Sequence, residues 1–337
     1  MRVLILKTSS LGDLIHTLPA VTDAAAALPE IRLDWVAEEA LAEIPAWHPA
    51  VARVIPIALR RWRRGWRAAW RSGEPQSFVR ALRQLPYDLV IDAQGLFFKS
   101  GLPALVARGP VAGYDRRSAR DPWASLCYGR RLRVPREQHA IARLRQLFAQ
   151  ALGYPLPQRP PDYGIRRPSG GDAGAAPYLV FLHGTAWASK QWPEAHWVAL
   201  ARIARDAGYA VHLPWGSPEE RARAGRIRDQ AGGVRLPRLD LAGLAAELAG
   251  AAGVVGLDSG LAHLAAALGV PAVTLFGPTD ARLTGVVGAG QQTLIPPGPE
   301  CVPCGQRHCT YGGGRAECLH RITPQEVWAA LGASSCG

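Results

Sequence analysis

The chain has 337 residues, 48% of them hydrophobic and 20% charged, which are globular proportions, and a length of this kind suits two domains that each bury a core. No apolar run is long enough to span a bilayer, and the opening Met1-Arg2-Val3-Leu4-Ile5-Leu6-Lys7 is too short and too abruptly polar for a signal peptide, so a cytoplasmic protein is expected. A net charge of +12, from 39 Lys and Arg against 27 Asp and Glu, points to an anionic partner (nucleic acid, acidic lipid or a phosphorylated substrate) without choosing among them.

Residues 3–6 read as a first strand, followed by a polar, glycine-containing loop over 7–13 and a helix over 14–27 with Pro19 early in it. Further strands are expected over 32–36 and 52–57. The run Arg60-Arg61-Trp62-Arg63-Arg64-Gly65-Trp66-Arg67-Ala68-Ala69-Trp70-Arg71 is the most unusual stretch. As one helix it places Trp62, Trp66 and Trp70 on one face and Arg60, Arg64, Arg67 and Arg71 opposite. That pattern suits a helix lying in a membrane interface, or a helix that packs its Trp stripe on its own domain. A strand over 88–92 ends in Ala93-Gln94-Gly95. A short element starts at Val111, a basic loop covers 115–120, and a helix over 138–152 stops at Gly153. Residues 155–177 hold six prolines and several glycines and read as an interdomain linker.

The second half begins a fresh alternation: strand 178–182, helix 194–207, strand 209–213, and helices 219–230 and 241–251, the last capped by Asp240. Strand, turn, helix and strand follow through 253–276, and a capping box at Thr323-Pro324-Gln325-Glu326 opens the final helix. Two halves that each alternate strand and helix predict an α/β protein of two Rossmann-like, doubly wound parallel sheets with a cleft between them. The expected limits are 1–154 and 178–320 for the domains, 155–177 for the linker and 321–337 for the C-terminal helix and tail.

Motifs that are missing narrow the chemistry. No G-x-G-x-x-G follows a predicted strand and no G-x-x-x-x-G-K-[ST] occurs, which disfavours a dinucleotide oxidoreductase and a P-loop ATPase. No Asp-x-Asp pair exists, so a diphosphate leaving group has to rely on backbone N–H groups, hydroxyls and a Lys or Arg. His183-Gly184-Thr185-Ala186-Trp187-Ala188-Ser189-Lys190, at the carboxyl end of a predicted strand, supplies such a set through Thr185 and Lys190. Asp258-Ser259-Gly260 opens a helix whose free N–H groups suit an anion, with His263 one turn on. The same residues also read as a plain helix cap and a packed core histidine. Asp13 likewise reads as a helix cap or as a general base that takes a proton from an attacking hydroxyl. The cysteines are Cys127, Cys301, Cys304, Cys309, Cys318 and Cys336. The single C-x2-C among the clustered four, with irregular later spacing, reads as reduced thiols in a loop rather than as a zinc site.

Lys7-Thr-Ser-Ser-Leu-Gly-Asp13-Leu-Ile-His16-Thr-Leu-Pro19 resembles the opening of the ADP-heptose:lipopolysaccharide heptosyltransferases of glycosyltransferase family 9. Ile91-Asp92-Ala-Gln94-Gly95, Lys190-x-Trp192-Pro193, Asp258-Ser-Gly260-Leu-Ala-His263 and Phe276-Gly277-Pro278-Thr279-Asp280 are similar to that family's other motifs, in the same order. The resemblance covers the chain to about residue 290. The Arg-Arg-Trp-Arg-Arg run and Leu213-Pro-Trp215-Gly216 are closer to the heptosyltransferase I branch. The cysteine tail is closer to other branches such as heptosyltransferase II.

The resemblance implies a GT-B glycosyltransferase, acceptor domain first and nucleotide-sugar domain second. It would invert at the anomeric carbon, without a metal or other cofactor, using ADP-heptose as donor and Kdo2-lipid A as acceptor. The place of action would be the cytoplasmic face of the inner membrane, to which the protein binds peripherally, with no nucleic-acid partner. Asp13 falls on the family's catalytic base. Thr185, Lys190, Glu220, Leu239, Asp258, Ser259, Gly260 and His263 fall on its donor site, Glu220 at the ribose and Leu239 at the adenine. Lys7, Ser10, Arg60, Arg61, Arg63, Arg64 and Arg120 fall where the anionic groups of the acceptor are held. Ala186 stands where a second hydroxyl residue is common. A later-acting heptosyltransferase II and a nucleotide-sugar 2-epimerase on the same fold are the alternative enzymes.

Overall fold

A computed structural model describes residues 1–165, 176–298, 300–310 and 317–335. The chain divides into two compact units, Met1–Arg166 and Arg167–Gly337. Each is built on one six-stranded parallel sheet.

In the first unit the strands are β1 (Arg2–Leu6), β2 (Arg32–Glu38), β3 (Val51–Ile57), β4 (Leu89–Asp92), β5 (Val111–Tyr114) and β6 (Arg130–Leu132). Their order is β3-β2-β1-β4-β5-β6. Val3, Leu4, Ile5 and Leu6 of the central strand are fully buried. A strand covered on both faces reads as a continuous apolar run rather than an alternating one, which is why 3–6 was legible. Val3 lies opposite Leu33 of β2 and Leu89 of β4. Strand order reverses between β1 and β4, the switch point outside whose carboxyl ends open α/β sheets bind their ligands. The loops at those ends are 7–10 and 93–96.

The second unit repeats the plan with β7 (Tyr178–Leu182), β8 (Ala210–Leu213), β9 (Val234–Arg235), β10 (Gly253–Leu257), β11 (Ala272–Leu275) and β12 (Gln291–Leu294). The order is β12-β11-β10-β7-β8-β9, and the reversal lies between β10 and β7. It is followed there by the loop of residues 183–190 and the turn at Asp258 and Ser259. Phe181, Trp192, Trp197 and Leu200 pack in the core beneath. Both predicted β–loop–α centres therefore stand at the switch points of their sheets. The edge strands β6, β9 and β12 were not foreseen, being short and half polar.

Two expectations change. The helix expected at 14–27 starts earlier, at Leu11–Ala27, so Asp13 lies inside its first turn rather than ahead of it. The run 60–71 is not one helix. It forms Leu59–Arg64 and Trp66–Arg71, separated by Gly65, which has the weakest hold on helical backbone of any residue but proline. The break divides the Trp stripe. Trp62 is buried, meets Phe78 edge-on and donates its Nε1–H to Glu74 at 2.9 Å, while Trp66 and Trp70 are 55% and 54% exposed. Of the three tryptophans of the stripe, these last two are exposed.

Of the segment read as a linker, 166–175 lie outside the described residues. Residues 155–165 are held to the first unit. Arg159 pairs with Asp23 at 3.2 Å, and the buried Arg145–Asp23 pair also binds the Pro157 carbonyl. Among the described residues no helix is long and apolar enough to cross a membrane.

Candidate active site

The first centre is the loop after β1. Ser10 is the N-cap of the helix Leu11–Ala27 and Asp13 its third residue, so the two close a capping box. The Ser10 backbone N–H and hydroxyl donate to Asp13 Oδ2 at 2.8 and 2.9 Å, and Lys7 Nζ stands 3.4 Å from Oδ1. Lys7 is buried and also donates to the Ala93 carbonyl at 3.1 Å, which fixes its direction. Burial alone would push the Asp13 carboxyl up. Lys7, the two Ser10 hydrogen bonds and His16 outweigh it and hold the group down at about 2. Asp13 is thus ionised at neutral pH, yet its side chain remains 35% exposed. The cap reading is realised, and the carboxylate is still reachable.

The motif after β4 holds this loop. Gln94 Oε1 accepts from the backbone N–H groups of Thr8 and Ser9 at 3.1 and 3.2 Å. Asp92, fully buried, accepts from the Gln94 and Gly95 N–H groups and from the Tyr128 hydroxyl at 2.6 Å. Gly95 has φ +66° and lies against Tyr114, so the turn needs a residue without Cβ. Asp92 thus shapes the turn that aims Gln94, and Gln94 holds the loop of residues 7–10; the Ile91–Gly95 motif carries no local mark of either contact.

A cavity of about 570 Å³ lies beside this centre, lined in part by Thr8, Ser9, Arg60, Arg63, Phe97 and Lys99. Its two acids are already occupied. Glu38 accepts from the Arg60 backbone N–H, and Asp121 from the N–H groups of Phe97 and Trp123. Among the described residues, the side chains of Arg60, Arg63, Arg64, Lys99 and Arg120 form no ion pair. Arg61 differs: Glu39 and Glu74 both bind its guanidinium, at 3.0 and 2.8 Å. Lys99, Phe97 and Phe98, which line the same cavity, were not foreseen, because nothing in their spacing marks a pocket wall.

The second centre gathers residues from three loops. Lys190 Nζ lies 2.5 Å from Asp258 Oδ2, and Thr279 Oγ1 donates to the same oxygen at 2.5 Å. His263 Nε2 stands 3.9 Å from Asp258 Oδ1. Lys190 also sits over the Trp187 ring at 4.5 Å, a cation–π contact. Ser259 caps the helix Gly260–Ala267 with its backbone alone. Its Oγ is buried with no hydrogen-bond partner among the described residues. The structure therefore brings Lys190, Asp258, Ser259, Gly260 and His263 together, and it adds Thr279. The quoted Gly277-Pro278-Thr279 motif was the available signal for that last residue. Asp280 instead caps the short helix Ala281–Thr284.

Glu220 belongs to a neighbouring loop. It closes a capping box with Ser217 and accepts from the Gly216 and Ser217 N–H groups at 2.7 and 3.1 Å. Its carboxylate lies directly against Gly184, where a Cβ would collide with Oε1. Thr185, next in sequence, is half-buried, and Leu239 is half-buried in the loop before the helix Leu241–Gly250. His183 is fully buried; burial and then Arg223 hold its ring down at about 4, so it is neutral at neutral pH.

The cysteine tail braces this loop. Ser189 donates its hydroxyl to the Gln306 carbonyl at 2.7 Å and its N–H to Arg307, and the Gly305 N–H donates to Pro278 at 2.6 Å. Cys301, Cys304, Cys309 and Cys318 line one cavity of about 300 Å³. Cys127, Cys301, Cys304 and Cys318 are free thiols, and among the described residues no group of three or more His, Cys, Asp or Glu is arranged to hold a metal.

Residues 76–314 match the model of glycosyltransferase family 9 (heptosyltransferase). Lipopolysaccharide heptosyltransferase 1 of Pseudomonas aeruginosa is 53% identical over 98% of this chain and 97% of its own. The Escherichia coli heptosyltransferase WaaC with ADP superposes with a TM-score of 0.89 at 43% identity, covering 99% of this chain and 100% of that one. The same enzyme with ADP-2-deoxy-2-fluoro heptose gives 0.85 at 43% identity over 99% of both. The paired six-stranded parallel sheets are those of the GT-B fold, and the chain belongs to glycosyltransferase family 9, the heptosyltransferases.

Proposed function

We propose that this heptosyltransferase moves heptose from ADP-heptose to Kdo2-lipid A, placing the first heptose of the lipopolysaccharide inner core, with inversion at the anomeric carbon and without a metal. The observation that carries the donor half is the convergence of Lys190, Asp258, Thr279 and the N-terminus of the helix Gly260–Ala267. As ADP departs, charge grows on its terminal phosphate. A lysine and unpaired helix N–H groups meet that charge at no cost in reorganisation. Relatives solved with ADP and with an ADP-heptose analogue support the same donor here. Ser259 Oγ and Thr185 supply hydroxyls, Glu220 an acceptor for the ribose, and Leu239 a wall for the adenine.

Asp13 takes the proton of the attacking hydroxyl. The new C–O bond forms as the C–O bond to ADP breaks, and one in-line displacement inverts the centre. Lys7 and Ser10 keep Asp13 ionised and aimed, so both act through Asp13 rather than on the acceptor. The anionic groups of the acceptor fall to Arg60, Arg63, Arg64 and Arg120, which have no ionic partner among the described residues, while Arg61 stays with Glu39 and Glu74.

The test is transfer by the purified protein from ADP-heptose to two acceptors, one bare and one already carrying a heptose. Product from Kdo2-lipid A is expected. Product from the heptosylated acceptor alone would assign the later step instead. Conversion of the donor with no acceptor present would indicate an epimerase.

A further inference from the structure

The segment 97–106 is built inside out. Its helical turns bury the small residues Ser100, Gly101, Pro103 and Ala104, pack Phe97 and Val106 against the core, and leave the large apolar Phe98, Leu102 and Leu105 facing outward. Phe98, Leu102 and Leu105 recur at i, i+4 and i+7, one helical face, and are between 39% (Leu102) and 76% (Phe98) exposed. An ordinary surface helix does the reverse. The segment of Pro122–Cys127 packs beside it and adds Trp123 and Leu126, 66% and 62% exposed.

The two segments are locked together. Asp121 takes the Phe97 N–H on one carboxylate oxygen and the Trp123 N–H on the other, and its own N–H donates to the Gly95 carbonyl at 3.0 Å. A Cβ on Gly101 would stand 3.1 Å from Cys127 Sγ, so the packing beneath is close. The outward apolar face is therefore held in place by tight structure rather than left over from loose packing. An exposed, contiguous apolar face of this kind marks a contact surface.

Charge says what it contacts. Lys99 and Arg108 lie at the two ends of the helical segment, both exposed and neither in an ion pair among the described residues. Phe98 and Lys99 also line the cavity that Arg60 and Arg63 line. Apolar side chains rimmed by unpaired cations suit a bilayer with anionic headgroups, which takes apolar groups between its acyl chains and cations at its phosphates. We infer that Phe98, Leu102, Leu105, Trp123 and Leu126 form the face by which this protein inserts into an anionic lipid surface, beside the cavity assigned to the acceptor. The inference rests on the acceptor reading above only for what the cavity receives; the exposed face stands without it.

The full chain is tested by sedimentation with vesicles of phosphatidylcholine alone or with added phosphatidylglycerol. The wild type is expected to bind the anionic vesicles and to be released by salt. The variant Leu105→Ser/Trp123→Ser/Leu126→Ser changes only exposed side chains away from the cavity. Its partitioning should fall at least tenfold, with unfolding temperature and ADP affinity unchanged. Anionic-vesicle binding equal to the wild type would overturn the proposal. So would a wild type that is dimeric without vesicles and a variant that is monomeric but still binds them, since the face would then join two copies of this chain. Transfer to a lipid-free Kdo acceptor separates the two readings. Its absence in the wild type sinks the proposed function and leaves the vesicle result standing, and its presence without vesicle binding sinks this face alone.

Discussion

Lys190 offers the sharpest test of the donor site, because its removal has two consequences of different size. Lys190 and Asp258 are 2.5 Å apart with side chains only 13% and 9% exposed. Lys190→Met leaves the Asp258 carboxylate buried without its lysine, the Thr279 hydroxyl still donating to it. Removing one member of such a buried pair costs about 3–5 kcal/mol of stability, since the remaining charge is uncompensated. The double variant Lys190→Met/Asp258→Asn removes both charges and should recover most of that loss. Binding behaves differently if the lysine contacts phosphate. A hydrogen bond to a charged group is worth about 1.5–3 kcal/mol, so ADP affinity should fall about 10- to 150-fold. Neutralising Asp258 does not return it. Thermal unfolding reads the first effect and calorimetric titration with ADP reads the second. Recovery of ADP affinity together with stability in the double variant would show that Lys190 only neutralises Asp258, and the phosphate role would be wrong.

Three further outcomes follow from the geometry. Asp13→Asn keeps the size of the side chain and a carbonyl acceptor for Ser10, so ADP affinity should stay unchanged while transfer falls by about 10²–10⁴, the usual worth of a general base; turnover within tenfold of wild type would reject the role. Arg60→Gln/Arg63→Gln should raise the KM for the acceptor severalfold and leave the KM for ADP-heptose alone, because both side chains line the cavity of the first unit; a shift confined to the donor KM would contradict this. Gly184→Ala drives a Cβ into the Glu220 carboxylate, which should cost about 1 kcal/mol of helix capping and weaken ADP binding with it. An alanine variant with wild-type stability and ADP affinity would remove Glu220 from the donor site.

Much of the fold was legible because buried parallel strands and capped helices leave strong local marks. The run 3–6, the strand 178–182, Asp240 before its helix and the Thr323–Glu326 capping box all appear where periodicity and capping chemistry place them. Local marks fail where tertiary packing decides. Spacing alone put Trp62 with Trp66 and Trp70, but the break at Gly65 turned Trp62 into the core, where Glu74 satisfies its N–H. The resemblance places Lys7 where the anionic groups of the acceptor are held, and nothing local in the sequence shows that it is buried between Asp13 and the Ala93 carbonyl, two partners from different loops. The inverted face of 97–106 was invisible because Leu and Phe among Ala and Pro look like an ordinary core segment until burial is known. Thr279 was quoted within a motif, but its bond to Asp258 spans 21 residues and no helical or strand period predicts it.

The depressed Asp13 carboxyl sets a condition on its proposed role. A general base does best with a pKa near the working pH, and a group held at about 2 gives up basicity. What it gains is certainty of charge, since Lys7, Ser10 and His16 keep it ionised far below the ordinary carboxylate value of about 4. That exchange suits a displacement in which the attacking hydroxyl becomes strongly acidic as its bond to the anomeric carbon forms, so that a weak base suffices late in the step. The sign of the pH effect follows. Only the anion accepts a proton, so kcat/KM should hold as pH falls from neutrality, with no loss from Asp13 until well below the ordinary carboxylate range. Lys7→Met removes the largest of the influences that lower this pKa and leaves burial, which raises it. The acid limb should then move upward, while the neutral plateau is kept to within about tenfold because the base is still present. The profile is measured on a lipid-free acceptor, with Asp13→Asn as the baseline. Superposition of the Lys7→Met and wild-type acid limbs would mean that Asp13 does not titrate in the rate, and the carboxylate would be left with the helix cap as its function.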